Sequence, residues 1–523
     1  RTCFFFIYII IRLSARKTTT TSAVAHTHTS RTTRIYTKFC GHYLRNRKSL
    51  YTMKLLSFFL LLSLQRPSYS FVASLTTKLA TNTVTTSSKK HTNNLIRRFV
   101  SNTDDDNTMT TTTDTLIIGG GVAGTASAFA LCQKGKDVIL CEQSSTLAPA
   151  TASSNGDSRM YRKMYSNEFF SRMQAKALDR WADVERSSGE SLLQQNGLLF
   201  YGEDTGETVE GSVLGAKQVM ENLNLPHKFY ATGDDIAAAY PALSEGCKGK
   251  PYSGVYEETA GHIRASKACH AMIKAAKDND SNSNCEVRLN TKIVSLDTTT
   301  SPSEVVAITE SGEKIVAKNV VLCAGPWTNS VLKSSNLPPL QLDIWQVQWG
   351  HYEIINDTKN NEIPQAFHFR KETGIDGGLY YVFPASATEC LQQPSSENNN
   401  KKKTTYVKVG VDFPTGESLQ DMRDFDFKGS EEVQKLMDEW VEEHINGESK
   451  RIDSFCHPYT MTSDSYFIMD KLKSNVVIFA GGSGRAFKFG PLLGDCIASL
   501  LLNEEAPVDL TPFKATRDAT KTI

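Results

Sequence analysis

The chain has 523 residues, enough for two or three average domains, and its 58 basic and 57 acidic residues leave a formal net charge of +1. That balance gives no electrostatic reason to expect a nucleic-acid partner. The 11 cysteines are scattered, with no CxxC pair and no Cys/His cluster of metal spacing, and read as buried thiols rather than a disulfide framework or a metal site.

Residues 1–112 read as a targeting or disordered extension, rich in Thr, Ser, Lys and Arg and almost free of acid before Asp104. Met53 opens MKLLSFFLLLSLQRPSYSFVAS, a basic residue followed by an apolar run and small residues. This pattern fits a secretory signal peptide and is too short for a convincing membrane span, so no stable insertion of the mature protein is expected. Cleavage after Ser70 would expose Phe71 ahead of an acid-poor Ser/Thr stretch, which resembles the two-part presequence of algae with secondary plastids. The secretory pathway and the cytoplasm are the other destinations this extension allows.

The folded body opens at residues 115–143, TLIIGGGVAGTASAFALCQKGKDVILCEQ. The stretch predicts a buried strand (116–118), a glycine turn, a small-residue helix and a second strand (138–141) ending in an acid. Gly119 permits the tight turn, Gly121 admits a pyrophosphate to the backbone, and Gly124 lets the helix pack close to the strand. Amides at the helix start, those of Val122 and Ala123, offer donors to phosphate. Glu142, about 20 residues on, is placed to hold an adenine ribose.

Next come an irregular loop (144–156), helices at 167–186, 213–222 and 262–276, and a strand at 197–201. Strands follow at 286–289, 292–296, 305–309 and 319–322, with a turn at Ser311 and Gly312. Residues 340–411 are rich in strands and are interrupted by a polar insertion at 392–403. An acidic amphipathic helix (431–443) precedes a buried strand (476–480), a glycine-rich loop (481–490) and a closing helix (492–502). A nicotinamide dehydrogenase usually completes its dinucleotide sheet in one run, whereas here a strand, glycine loop and helix close the fold near the far end of the body. That interleaving favours FAD. The expected fold class is α/β, with a Rossmann-like FAD domain from residues 113–195, 258–335 and 453–513. A mixed-sheet substrate domain is expected from residues 196–257 and 336–452.

Further motifs are NGDSRMYR (155–162), YYVFP (380–384), YVKVGVD (406–412), CHPYTMTSDSYFIMD (456–470), GSGRAFKFG (482–490) and the turn CAGPW (323–327). With them the chain resembles the amine-oxidising flavoproteins of the D-amino-acid-oxidase superfamily over residues 113–511. The nearest branch is that of monomeric sarcosine oxidase, N-methyltryptophan oxidase and L-pipecolate oxidase.

The resemblance implies oxidation of a secondary or N-methyl amino acid to an imine by a monomer, with O2 reduced to hydrogen peroxide. It places Ser158 and Arg159 beside the flavin, and it gives the substrate carboxylate to Arg162 and Lys488. Tyr381 shapes the substrate pocket and Lys408 activates oxygen. Ala324, Gly325, Trp327, Gly482, Gly484 and Phe487 join the cofactor residues. Three positions depart from the pattern: Asn155 and Asp412 stand where relatives carry His, and one extra residue before Tyr459 puts His457 where a flavin-linking cysteine is expected. A bulge would restore Cys456 to that role, and otherwise the FAD is held without a covalent bond. A flavin dehydrogenase using another acceptor, and a flavin-binding protein without turnover, remain alternatives.

Overall fold

The computed structural model describes residues 110–203, 211–279, 283–356, 362–370, 378–386, 390, 403–412 and 418–517. The extension with its signal-peptide and plastid readings, and nearly all of the insertion at 392–403, lie outside the described residues.

Four short apolar segments lie side by side and parallel in an eight-stranded sheet: Cys285–Arg288, Val138–Cys141, Thr110–Ile118 and Lys314–Leu322. Val476–Ala480 extends the parallel array from the C-terminal end of Lys314–Leu322, and the hairpin Ile293–Asp297/Val305–Thr309 pairs with its N-terminal half. Ile118 is in register with both Cys141 and Leu322, so three strands end at one edge, where ligands of open α/β sheets bind.

Helix Val122–Gln133 has buried residues all round, from Val122 to Cys132, which is why it contains Ala, Gly, Ser and Thr in place of an amphipathic pattern. Its small residues admit close neighbours: a Cβ on Gly494, in helix Gly490–Leu502, would lie 2.3 Å from the Ala126 carbonyl oxygen. Helix Ala265–Lys277 packs on its other flank. The sequence pattern placed this last helix from residue 262. Instead His262 belongs to strand Gly261–Ile263, which pairs with Arg159–Tyr161, and the helix begins at Ala265.

A nine-stranded sheet runs in the order Glu448–Arg451, Asp343–Asn356, Lys403–Val411, Gly378–Ala385, Ala366–Arg370, Leu198–Glu203, Tyr252–Glu257, Lys228–Tyr230. Phe455–Met461 also joins this sheet by pairing with Asp343–Asn356, although it lies in a stretch expected to belong wholly to the dinucleotide domain. One face of the sheet buries Tyr380, Val382, Val407, Val409 and Val411 against helix Glu431–His444. That helix presents Val433, Met437, Trp440, Val441 and His444, the spacing of a single apolar stripe. With period two along each strand, Tyr381, Lys408, Gly410 and Asp412 fall on the opposite face. Among the described residues, no helix is long and apolar enough to cross a membrane.

Candidate functional site

At the edge where the parallel strands end, the chain turns through Gly119 with φ +107, and a Cβ there would stand 2.4 Å from the Cys323 carbonyl oxygen. A Cβ on Gly124 would fall 1.9 Å from the Gly119 carbonyl oxygen, so only hydrogen fits between helix and turn. Glu142 is buried, its Oε2 accepting from the Gly120 amide at 2.7 Å and its Oε1 from the Ser144 amide at 2.9 Å. The carboxylate thereby braces the glycine turn while lining the cavity beside it.

That cavity measures about 360 Å³. Gly119, Gly121, Val122, Ala123 and Glu142 line one end. Ala324, Gly325 and Trp327 form a second wall, and Gly482, Gly484 and Phe487 a third. Gly484 has φ +70, and a Cβ there would meet the Tyr459 ring at 2.8 Å. Gly124 packs beneath the turn and does not line the cavity. Glycine reading missed Ser154, whose Oγ accepts from the Val122 amide at 3.0 Å and which also lines the cavity. An extended dinucleotide fits this lining: side chains are absent where phosphates would approach the backbone, and a buried carboxylate marks the ribose end.

A second, smaller cavity of about 60 Å³ adjoins the first, and Arg159, Tyr459, Gly484 and Phe487 border both. Arg162, Lys408 and Lys488 line it together with Ser158, Tyr381 and Asp412. Five stretches of chain far apart in sequence thus converge on one point. Four cations face one carboxylate, which gives the pocket a field that selects anions.

Each cation is held. Arg162 is 1 % exposed, its Nη1 donates to the Met164 carbonyl at 3.1 Å, and its guanidinium lies over Tyr165 at 4.5 Å and Phe367 at 5.0 Å. Lys408 Nζ sits 4.3 Å above the Trp349 ring and 3.3 Å from Ser158 Oγ. A lysine flanked by valines commonly faces water, but this one is buried because the Lys403–Val411 strand is covered on both faces. Lys488 occupies the short turn Ala486–Phe489, where its carbonyl accepts from Trp181 Nε1 at 2.8 Å. Arg159 donates to the Ser158 and Ser153 carbonyls at 2.7 Å each and also to the Asn155 carbonyl. Asn155 itself lines neither cavity: its Nδ2 staples the loop to the Ala148 carbonyl at 2.9 Å.

Burial raises the pKa of the Tyr381 phenol, against the pull of Arg159, and the Asp412 charge adds to the rise, so the ring stays protonated. Gly410 is the space that lets this ring lie flat on the sheet, since a Cβ there would meet it at 2.4 Å. Trp349 and Phe383 complete the apolar wall. Sequence reading missed Trp349, and the only available signal was its two-residue offset from Val347, which lines the same pocket.

The expectation of a covalent link through Cys456 is corrected by the strand. Phe455–Met461 continues without a bulge in its pairing to Asp343–Asn356, so His457 and Tyr459 face the cavities and Cys456 faces away. Cys456 packs with Ile344 and Phe425, and burial pushes its thiol up to about 12. It borders neither cavity.

Comparison with known proteins agrees with this geometry. The FAD dependent oxidoreductase (DAO) family matches residues 114–500. The peroxisomal sarcosine oxidase of Homo sapiens is 27% identical over 407 residues, covering 76% of this chain and 94% of that protein. The monomeric sarcosine oxidase of Bacillus sp. (strain B-0618) is 26% identical over 409 residues, covering 77% and 95%. Among solved structures, the open form of NikD, an unusual amino acid oxidase essential for nikkomycin biosynthesis, has a TM-score of 0.65 at 20% identity. That likeness covers 77% of this chain and 97% of NikD. Glycine oxidase from Geobacillus kaustophilus has a TM-score of 0.60 at 17% identity, covering 78% and 99%. These two likenesses show the fold. The glycine turn, the discontinuous sheet and a family match spanning most of the folded body place this chain in the FAD-dependent oxidoreductase family, as an enzyme that uses FAD.

Proposed function

We propose that this enzyme oxidises the C–N bond of a small secondary or N-methyl amino acid, sarcosine- or pipecolate-like, to an imine and passes the electrons to O2 as hydrogen peroxide. The observation that carries this reading is the convergence of Arg159, Arg162, Lys408 and Lys488 on a buried pocket of about 60 Å³ that opens into the dinucleotide cavity.

When bound, FAD supplies the two-electron acceptor. Arg162 and Lys488 hold the substrate carboxylate, and because both are nearly removed from water each contact is stronger than on a surface. Trp349, Phe383 and Tyr381 enclose the apolar part of the substrate and exclude water. No pocket side chain is needed as an obligatory base, since a neutral amine can give up hydride directly. His457 is a poor proton acceptor, because burial and then the Arg159 and Lys408 charges hold its pKa down to about 3. Lys408 offers a fixed positive charge where electron transfer to oxygen develops negative charge.

A panel of N-alkyl and cyclic amino acids, scored by peroxide release and oxygen uptake, tests the reading. Failure of every member to bleach the flavin band anaerobically would sink it, and bleaching without oxygen uptake would redirect it to another electron acceptor. The plastid presequence from Met53 belongs to the same proposal, and the destination of a fluorescent fusion carrying residues 53–112 decides it.

A further inference from the structure

Helix Glu168–Ser188 is preceded by a tight turn at residues 163–165, and that turn touches both cations assigned to the substrate carboxylate. Its Met164 carbonyl accepts from Arg162 Nη1 at 3.1 Å. The centre of the Tyr165 ring lies 4.5 Å from the Arg162 guanidinium and 5.6 Å from Lys488 Nζ, so one aromatic ring serves both charges. Where the turn stands therefore decides how the two cations are aimed and spaced.

The turn is held by Glu257, the last residue of strand Tyr252–Glu257. This side chain is fully buried and lines neither cavity. Its Oε2 accepts from the Lys163 amide at 2.7 Å and from the Met164 amide at 3.2 Å. Its Oε1 accepts from Thr259 Oγ1 at 2.8 Å and lies 3.6 Å from Lys163 Nζ. From the other side, Ser171 Oγ donates to the Lys163 carbonyl at 2.6 Å. Taking a carboxylate out of water is costly, and here donors surround it to offset that cost. Without the carboxylate, the Lys163 and Met164 amides lose the oxygen they share. The strand bearing Glu257 also pairs with the strand bearing Phe200, whose ring is the third face over Arg162, at 5.5 Å.

We propose that Glu257 is a positioning residue for the carboxylate clamp. Out of reach of the substrate, it orders the turn that aims Arg162 and spaces it from Lys488. It thereby sets affinity for the carboxylate and leaves electron transfer to other groups. This role rests on the proposed function, in which Arg162 and Lys488 hold that carboxylate. A glutamine at position 257 keeps an oxygen for the two amides, whereas a leucine keeps none.

Binding of propionate, a carboxylate with no amine to oxidise, is read from the visible spectrum of the flavin-loaded, full-length protein. In Glu257→Leu its Kd is expected to rise roughly 10-fold or more, with flavin content at the wild-type level. Glu257→Gln is expected to bind propionate within about three-fold of wild type. If the leucine variant does not accumulate, Glu257→Asp, whose shorter side chain draws the carboxylate back from both amides, takes its place with the same expectation. An unchanged Kd in that variant overturns the proposal. So does a glutamine variant as weak as Glu257→Leu, or flavin lost in step with propionate, which marks a general loosening of the fold. Propionate that never perturbs the wild-type spectrum removes the clamp and the role of Glu257 with it. The expected order of propionate affinities in a protein whose flavin no amine reduces removes the amine-oxidase reading alone.

Discussion

Around Gly119 the wall of the cavity is main chain, held in place by the absence of side chains; around Arg162 the wall is side chain, held by what is stacked and bonded to each charge. At the first, neighbours sit 1.9 Å and 2.4 Å from where Cβ atoms would be, so substitution fails sterically. At the second, Arg162 is fixed by three aromatic faces and a carbonyl, and Lys408 by Trp349 and Ser158. A steric requirement is local and leaves a trace in residue spacing. A charge requirement is satisfied by whichever segments the fold brings together, and it leaves almost none.

The contrast predicts different modes of failure. The largest effect is expected for Gly124→Val, because the added carbons cannot share space with the Gly119 carbonyl. Overpacking of that kind costs about 3 kcal/mol or more, and purified protein should carry little or no flavin by absorbance ratio. Full flavin content in this variant would contradict the steric account. Arg162→Met keeps the volume among Tyr165, Phe200 and Phe367 but removes the cation. Flavin should remain bound, while the substrate Kd, read from flavin spectral changes, weakens by about 2–5 kcal/mol, roughly 30- to 4000-fold.

Lys408→Met should separate the two half-reactions. Anaerobic flavin reduction stays within a few-fold of wild type, and reoxidation by O2 slows by roughly 10²–10³-fold in stopped flow. Equal slowing of both would place Lys408 with the substrate instead. Trp181→Phe removes one of two donors to the Lys488 carbonyl, the other being Gln174 Nε2 at 3.3 Å. A loss of about 1 kcal/mol in urea unfolding is expected, with a rise in KM.

The smallest effect is expected away from both cavities, at Asp464. Burial, the largest single influence, raises the pKa of this carboxyl, but the hydrogen bond and charge of Arg517 together with hydrogen bonds from the Tyr466 amide and Thr462 outweigh it, and the net direction is down. The pair therefore stabilises the fold above the ordinary carboxylate pKa, and that contribution is lost as pH falls through the lowered value. Arg517→Ala should cost no more than about 1 kcal/mol at pH 7, and the difference from wild type should vanish in acid.

Much of the secondary structure was legible in the chain. Strand 138–141, helix 213–222 and strand 476–480 stand where periodicity and apolar runs put them. The short strands Arg159–Tyr161 and Gly261–Ile263 were not legible, because three residues carry no period of their own and exist only through their pairing. Cys456 was misplaced for a related reason. Counting back from Tyr459 put His457 at the inward position, and only the uninterrupted strand pairing shows that no bulge restores Cys456 to it.

By itself the sequence determined where backbone must turn tightly and where helix must touch strand, and from these came the expectation of an adenine dinucleotide at the turn 119–124. These requirements act between residues close along the chain, so the chain records them. Tertiary structure alone decided that Ser154 caps the turn, that Trp349 lies beneath Lys408, and that His457 rather than Cys456 faces the pocket. Those outcomes depend on sheet register and on contacts between distant segments, where two residues matter to each other only after folding has made them neighbours.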